Sequence, residues 1–168
     1  MAGSRPINVL FLCTHNSARS ILAEAMLNQL GQGRFKAFSA GSSPRENQRP
    51  NPMALEVLRN AGVSTEGLRS KSWDEFAKAE APPMDLVITV CDNAAGEVCP
   101  YWPGHPATAH WGYADPSEAS GTAEQKLEAF RQTLHAIRRK LELLVNLPLA
   151  GVDPLRLQTQ ARELADKP

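Results

Sequence analysis

The sequence predicts an α/β fold, a three-layer sandwich in which a four-stranded parallel sheet carries helices on both faces. Three observations predict it. Short apolar, β-rich runs recur along the chain, each bounded by turn residues. Segments of helical periodicity separate these runs. Glycine, proline or a capping residue marks each change of state.

Taken in order, Ile7 to Leu12 reads as a buried strand with no polar alternation. After the polar stretch Thr14 to Ser17, a helix sets Leu22, Met26 and Leu30 on one face, and Gly31 and Gly33 stop it. Phe35 to Ala40 is the second strand, and Ser42 to Pro50 is a loop. Asn51 caps a helix that has Pro52 at its first position and Gly62 beyond its end. Ser72 and Glu75 have the spacing of a capping box for a short helix. Asp85 to Val90 is the third strand, followed by a long Pro- and Gly-rich segment from Cys91 to Pro106. Ala107 to Trp111 is the fourth. Thr122 and Gln125 form a second capping box, ahead of a helix whose stripe is Leu127, Phe130, Leu134, Ile137, Leu141 and Leu144. Asp153-Pro154 opens a terminal helix bearing Leu157, Ala161 and Leu164. Residues 1–150 therefore read as one domain and 151–168 as a helical extension. Trp73, Trp102 and Trp111 read as packing anchors, and Arg138-Arg139-Lys140 as a solvated helix face.

Composition narrows the function. Apolar residues are 42% and charged residues 21%, and Lys plus Arg balances Asp plus Glu at 18 each. A neutral chain lacks the basic surface of a sequence-independent nucleic-acid binder. No apolar run reaches membrane-spanning length, and the N-terminus has no signal-peptide core. The reading is a cytoplasmic protein with neither nucleic-acid nor membrane partners. There, three cysteines are thiols for chemistry rather than a disulfide framework.

In parallel sheets, ligands bind at the carboxyl ends of strands, near a switch in strand order. Three segments leave strand ends with unusual chemistry, beginning at Cys13, Cys91 and Trp111. The first is Cys13-Thr14-His15-Asn16-Ser17-Ala18-Arg19-Ser20, between a strand and a helix start. Backbone N–H groups of residues 14–19, with the helix N-terminus, make a concave anion site. Arg19 adds a two-pronged grip on a tetrahedral oxyanion. Cys13 lies at the start of that field, which favours a nucleophilic thiolate, and Ser20 is placed to donate to it.

On these residues the sequence resembles the low-molecular-weight tyrosine phosphatase fold, and still more the thioredoxin-coupled arsenate reductases built on it. Val9 to Ser20, Ser39-Ala40-Gly41 and Arg69-Ser70-Lys71-Ser72 carry the resemblance, which spans about residues 7–145. It implies that Cys13, Arg19, Ser20, Cys91, Cys99 and Asp115 are catalytic. It implies that Thr14, His15, Asn16, Ser17, Ala18 and Arg19 bind the oxyanion. Cys13 would attack arsenate, Cys91 would attack Cys13 and release arsenite, and Cys99 would move the disulfide outward for thioredoxin to reduce. Asp115, ahead of Pro116, would protonate the leaving oxygen. Two thiols becoming a disulfide supply the two electrons that arsenate reduction needs. Glutathione with glutaredoxin, or mycothiol, are the other donors found in the wider family.

Two departures from the phosphatases point the same way. No tyrosine follows Pro116, where an aryl substrate would be held, and Ala18 stands where a second loop cysteine is usual. Some related reductases hold a potassium ion beside the loop. Asn16, Glu24 and Ser39 match those positions, while the Asp expected near Trp73 has no clear match. No tightly bound cofactor or resident metal is expected otherwise.

Three alternatives stand beside this reading. A tyrosine or small-molecule phosphatase needs only Cys13, Arg19 and Asp115, and phosphate or sulfate can mimic arsenate. Cys91, Cys99, His105 and His110 supply four zinc-type ligands, although their spacing is irregular. A binding protein for oxyanions or metals would use the same thiols without turnover.

Overall fold

The computed structural model describes residues 5–91, 107–149 and 152–167. The chain runs β1 (Ile7–Cys13), α1 (Arg19–Leu30), β2 (Phe35–Gly41), α2 (Pro52–Asn60), β3 (Leu86–Thr89), β4 (Ala107–His110), α3 (Ala123–Val145) and α4 (Pro154–Ala165). Two 3-10 turns, Trp73–Phe76 and Pro116–Glu118, lie between them. The strands form one sheet in the order β2-β1-β3-β4, every pair parallel. The chain thus steps from β1 to β2 on one side, then returns to β3 on the other. Cys13 closes β1 and Cys91 follows β3, so both lie beside that switch in direction.

β1 is buried at every position but its first, which is why it reads as an unbroken apolar run. Its pleat divides the core. Val9, Phe11 and Cys13 join the larger cluster with side chains from all four α-helices, and Leu10 and Leu12 join Ala40 and Val87 on the other face. Phe38, Trp73, Phe76 and Met84 back that second face. Both faces are covered, but unequally: among the described residues a short turn does on one side what four helices do on the other.

Several expectations are adjusted. β3 begins at Leu86 rather than Asp85, whose carboxylate accepts the backbone N–H of Asn8 at 2.8 Å and both prongs of Arg5 at 2.6 Å. α1 is not one-faced: Ile21, Leu22, Ala23, Ala25, Met26 and Leu27 are all buried, since the helix packs on both β2 and α3. Ser72 caps the Asp74 N–H at 3.1 Å, but Glu75 does not close the box. Its carboxylate is taken by Arg69, at 2.6 and 3.0 Å. The box at Thr122 and Gln125 forms fully, and Asn51 and Asp153 cap α2 and α4.

α4 lies along β4. Trp111, itself 1% exposed, donates its indole N–H to Ala161 O at 2.9 Å. Gln158 Oε1 accepts the Thr108 N–H at 3.0 Å, and Arg162 Nε donates to Thr108 O at 2.9 Å. Lys140 is not simply solvated. Its ammonium donates to Ala165 O at 3.0 Å and lies 5.9 and 5.7 Å from the ring centres of Trp111 and Tyr113. No helix among the described residues is long and apolar enough to cross a membrane.

Candidate active site

Cys13, the last residue of β1, is a buried free thiol. The loop after it turns on Asn16, which adopts φ +58°, a left-handed conformation that asparagine tolerates. That turn aims the Asn16 backbone N–H back at Cys13 Sγ, 3.2 Å away. The Asn16 side chain faces the other way. Its Oδ1 accepts the Lys71 N–H at 2.9 Å, which fixes the amide's orientation. Nδ2 then donates to Ser20 Oγ at 2.8 Å and to Ser39 Oγ at 2.9 Å. Ser20 Oγ is therefore an acceptor from Asn16, and its own hydrogen is left for Cys13 Sγ at 2.9 Å. Two donors, the Ser20 hydroxyl and the Asn16 N–H, converge on one sulfur.

The loop rests on the end of β2. A Cβ at Gly41 would lie 2.6 Å from Thr14 O and 2.9 Å from the His15 carbonyl carbon. Ser42 N donates to Cys13 O at 3.1 Å and Ser43 N to Thr14 O at 2.8 Å. Ala18, the N-cap of α1, has no polar side chain to bond the first turn. The positive end of the helix thus points into the loop without a side-chain cap, as an anion site requires.

Arg19 and Asp115 meet here. Arg19 is 5% exposed; its Nη1 donates to Tyr113 O at 2.9 Å, and its Nη2 lies 3.7 Å from Asp115 Oδ2. The approach is set by the segment after β4, which runs along the end of β3. Trp111 N donates to Thr89 O at 2.8 Å and Tyr113 N to Val90 O at 3.3 Å. Asp115 Oδ1 also accepts from Ser117 N at 2.9 Å and Ser117 Oγ at 2.7 Å. It is at once a turn residue and a neighbour of Arg19. Burial pushes the Tyr113 phenol far above its usual range.

Cys91 is fully buried, two residues past the end of β3, the strand that pairs with β1, and its sulfur is in a disulfide. Cys99, His105 and Trp102 lie outside the described residues. His110 Nδ1 is paired with Thr89 Oγ1 at 2.7 Å. Among the described residues no three His, Cys, Asp or Glu side chains gather as a metal site.

The family model of low molecular weight phosphotyrosine protein phosphatases matches residues 8–155. The chain belongs to that family. Within it, the chain is 35% identical to the arsenate reductase of Bacillus subtilis (strain 168) over 134 residues, covering 80% of this chain and 91% of the relative. Among solved structures, an arsenate reductase from Archaeoglobus fulgidus superposes with a TM-score of 0.67 at 26% identity, covering 83% of this chain and 99% of that one. A thioredoxin-dependent arsenate reductase from Corynebacterium glutamicum superposes with a TM-score of 0.54 at 27% identity, covering 86% and 65%.

Behind the family loop lies a charged pair. Glu24 Oε1 accepts from Ser39 Oγ at 2.5 Å. Lys71 Nζ donates to Ser39 O at 2.9 Å and lies 3.9 Å from Glu24 Oε1. Burial pushes the Glu24 carboxyl up and the Lys71 ammonium down, while each charge counters the shift of the other. A potassium ion does not fit here, because an ammonium already faces the oxygens of Ser39 and Glu24. Sequence reading matched Glu24 and Ser39 to this place but gave Lys71 no role. Within Arg69-Ser70-Lys71-Ser72 it reads as a loop lysine, and only the fold turns it inward. Ser70 was also given no role, yet its hydroxyl donates to Asn16 O at 2.5 Å and helps hold the turn.

Proposed function

We propose that this chain reduces arsenate to arsenite through Cys13, Cys91 and Cys99, with thioredoxin restoring the thiols. The observation that carries the proposal is a second buried cysteine, Cys91, just past the end of the strand beside the Cys13 strand. A phosphatase needs Cys13, Arg19 and Asp115 and has no use for Cys91.

The steps balance as follows. Arsenate enters the loop at the positive end of α1, where Arg19 leaves Tyr113 O to grip its oxygens. The Cys13 thiolate forms a bond to arsenic and one arsenic oxygen departs as water, with Asp115 supplying a proton. The Cys91 thiolate then bonds to Cys13 sulfur. The sulfur–arsenic bond breaks and its electron pair stays on arsenic, so arsenic(V) becomes arsenic(III) as two thiols become a disulfide. Cys99 attacks Cys91 and frees Cys13. The remaining disulfide exchanges with a thioredoxin dithiol. A free thiol at Cys13 and a disulfide at Cys91 match the distribution expected after the last internal hand-over. The thioredoxin-dependent relative from Corynebacterium glutamicum supports the choice of donor.

The test begins with fully reduced protein and arsenate alone. Arsenite should appear once per chain, with loss of two hydrogens and a crosslinked peptide carrying Cys91. Cys91→Ser should bind arsenate without releasing arsenite. Cys99→Ser should stop after one turnover. Multiple turnover with thioredoxin in either variant refutes the relay. An unchanged mass, with hydrolysis of aryl phosphates, would instead favour the phosphatase reading, which Cys13, Arg19 and Asp115 alone support.

A further inference from the structure

We propose that Lys71 is a built-in cation for the Cys13 loop. Its ammonium holds the place between Ser39 and Glu24 that a monovalent metal ion would otherwise fill, and it acts as a positioning residue for Cys13. The proposal rests on the functional reading only in taking the Cys13 loop as the anion-binding loop.

Lys71 meets the Asn16 network at two points, through its backbone and through its ammonium. Its backbone N–H binds Asn16 Oδ1 at 2.9 Å. Its ammonium binds Ser39 O at 2.9 Å and faces Glu24, which accepts the Ser39 hydroxyl hydrogen at 2.5 Å. With its hydrogen committed to Glu24, Ser39 Oγ must accept from Asn16 Nδ2, which it does at 2.9 Å. Asn16 Nδ2 donates its other hydrogen to Ser20 Oγ at 2.8 Å, and Ser20 Oγ donates its own to Cys13 Sγ at 2.9 Å. The Lys71 N–H thus fixes which way the Asn16 amide faces, the Glu24 carboxylate makes Ser39 an acceptor for it, and the lysine ammonium makes it tolerable to bury that carboxylate. The Glu24 and Lys71 side chains are only 15% and 7% exposed. A buried carboxylate without a counter-charge is strongly destabilising.

The lysine's aim is fixed by its own backbone. Gly41 N donates to Lys71 O at 2.9 Å, and Ser72 forms a parallel bridge with Gly41. The lysine therefore extends from a segment paired to the end of β2, the same glycine on which the Cys13 loop rests. A recruited ion stabilises a protein in proportion to the logarithm of its concentration. A tethered ammonium does so at any salt composition.

The experiment compares melting temperature and inorganic phosphate affinity in potassium chloride and in tetramethylammonium chloride, at equal ionic strength. Wild type should behave alike in the two salts. Lys71→Met should melt lower in tetramethylammonium and bind phosphate about tenfold more weakly, as loss of a supporting contact does in other sites. Potassium should restore both. A wild type stabilised by potassium, or a Lys71→Met variant indifferent to it, overturns the proposal. If Lys71→Met does not fold, Glu24→Gln/Lys71→Met keeps the question open to test. Removing the stranded carboxylate should restore a folded protein indifferent to potassium, and failure to fold would count against the pairing. Neither readout requires arsenate turnover. A wild type that binds no phosphate would defeat the functional reading, while its melting behaviour would still judge Lys71.

Discussion

Replacing Ser20 with alanine removes one oxygen, in the fully buried interior of the site. Two losses follow. Cys13 Sγ, 2.9 Å away, loses the hydroxyl donor and keeps only the Asn16 N–H at 3.2 Å. Asn16 Nδ2 loses one of its two acceptors and keeps Ser39. A hydrogen bond to a charged group contributes about 1.5–3 kcal/mol. At about 1.4 kcal/mol per factor of ten, the thiolate's contribution to rate falls roughly 10- to 150-fold. The stranded Asn16 hydrogen adds a stability cost of about 1–3 kcal/mol. The assay is alkylation of Cys13 at fixed pH, followed by peptide mass and judged by protection with phosphate. Single-turnover arsenite release is measured beside it. Both should slow together, and the melting temperature should fall. A Ser20→Ala variant alkylated at Cys13 at the wild-type rate, with unchanged arsenite release, would refute the polarity assigned to the chain from Asn16 to Cys13.

Other perturbations test other parts. Gly41→Ala would drive a methyl group into Thr14 O, 2.6 Å away, and displace the backbone of the loop. Phosphate affinity measured by calorimetry should fall by about a hundredfold, as a misplacement of ångström scale does elsewhere; unchanged affinity would mean the loop does not depend on that contact. Leu157→Ala opens the packing of α4 and should cost about 2–4 kcal/mol, read as a lower urea midpoint at unchanged slope. The Arg69–Glu75 pair predicts a pH effect. Arg69 holds the Glu75 carboxyl below its ordinary range, so the pair stabilises the fold above that range. That contribution fades as pH falls through Glu75's depressed value. Arg69→Ala should therefore cost at most about 1 kcal/mol at neutral pH, since both groups are well exposed. The gap in melting temperature should close in acid; a gap constant with pH would show that Arg69 acts by packing instead.

What could be read from the sequence was what is local. β1 and the loop from Cys13 to Ser20 are continuous in the chain, so strand, nucleophile, arginine and helix start appear in one stretch. Alternating strands and helices implied a parallel sheet with a switch in strand order, but only the fold places that switch beside β1. Contacts between distant segments were less legible. Asn16, Glu24, Ser39 and Lys71 come from a loop, a helix, a strand and a second loop, and no spacing reveals that Lys71 turns inward. Glu75 has the spacing of a capping box, but spacing cannot announce that Arg69 competes for its carboxylate. α1 shows an apolar stripe, yet its small residues Ala23 and Ala25 are buried too, because neighbours crowd it on more than one side. Asp115 reads as a turn residue and is one; its nearness to Arg19 depends on how Trp111 and Tyr113 follow the end of β3.

The bonds from α4 to Thr108 have a consequence beyond packing. An outermost strand presents unpaired N–H and C=O groups that can recruit a strand from another molecule. Among the described residues, that invitation is met at Thr108 of β4 by side chains rather than by a fifth strand. Gln158 takes the N–H and Arg162 takes the C=O of Thr108, while Leu157 and Ala161 are buried in the same packing. A helix used as a border guard covers that part of the strand margin. Loss of α4 would therefore do more than loosen the core. It would expose a strand margin ready to pair, and truncated chains should associate through β4 where the intact chain does not.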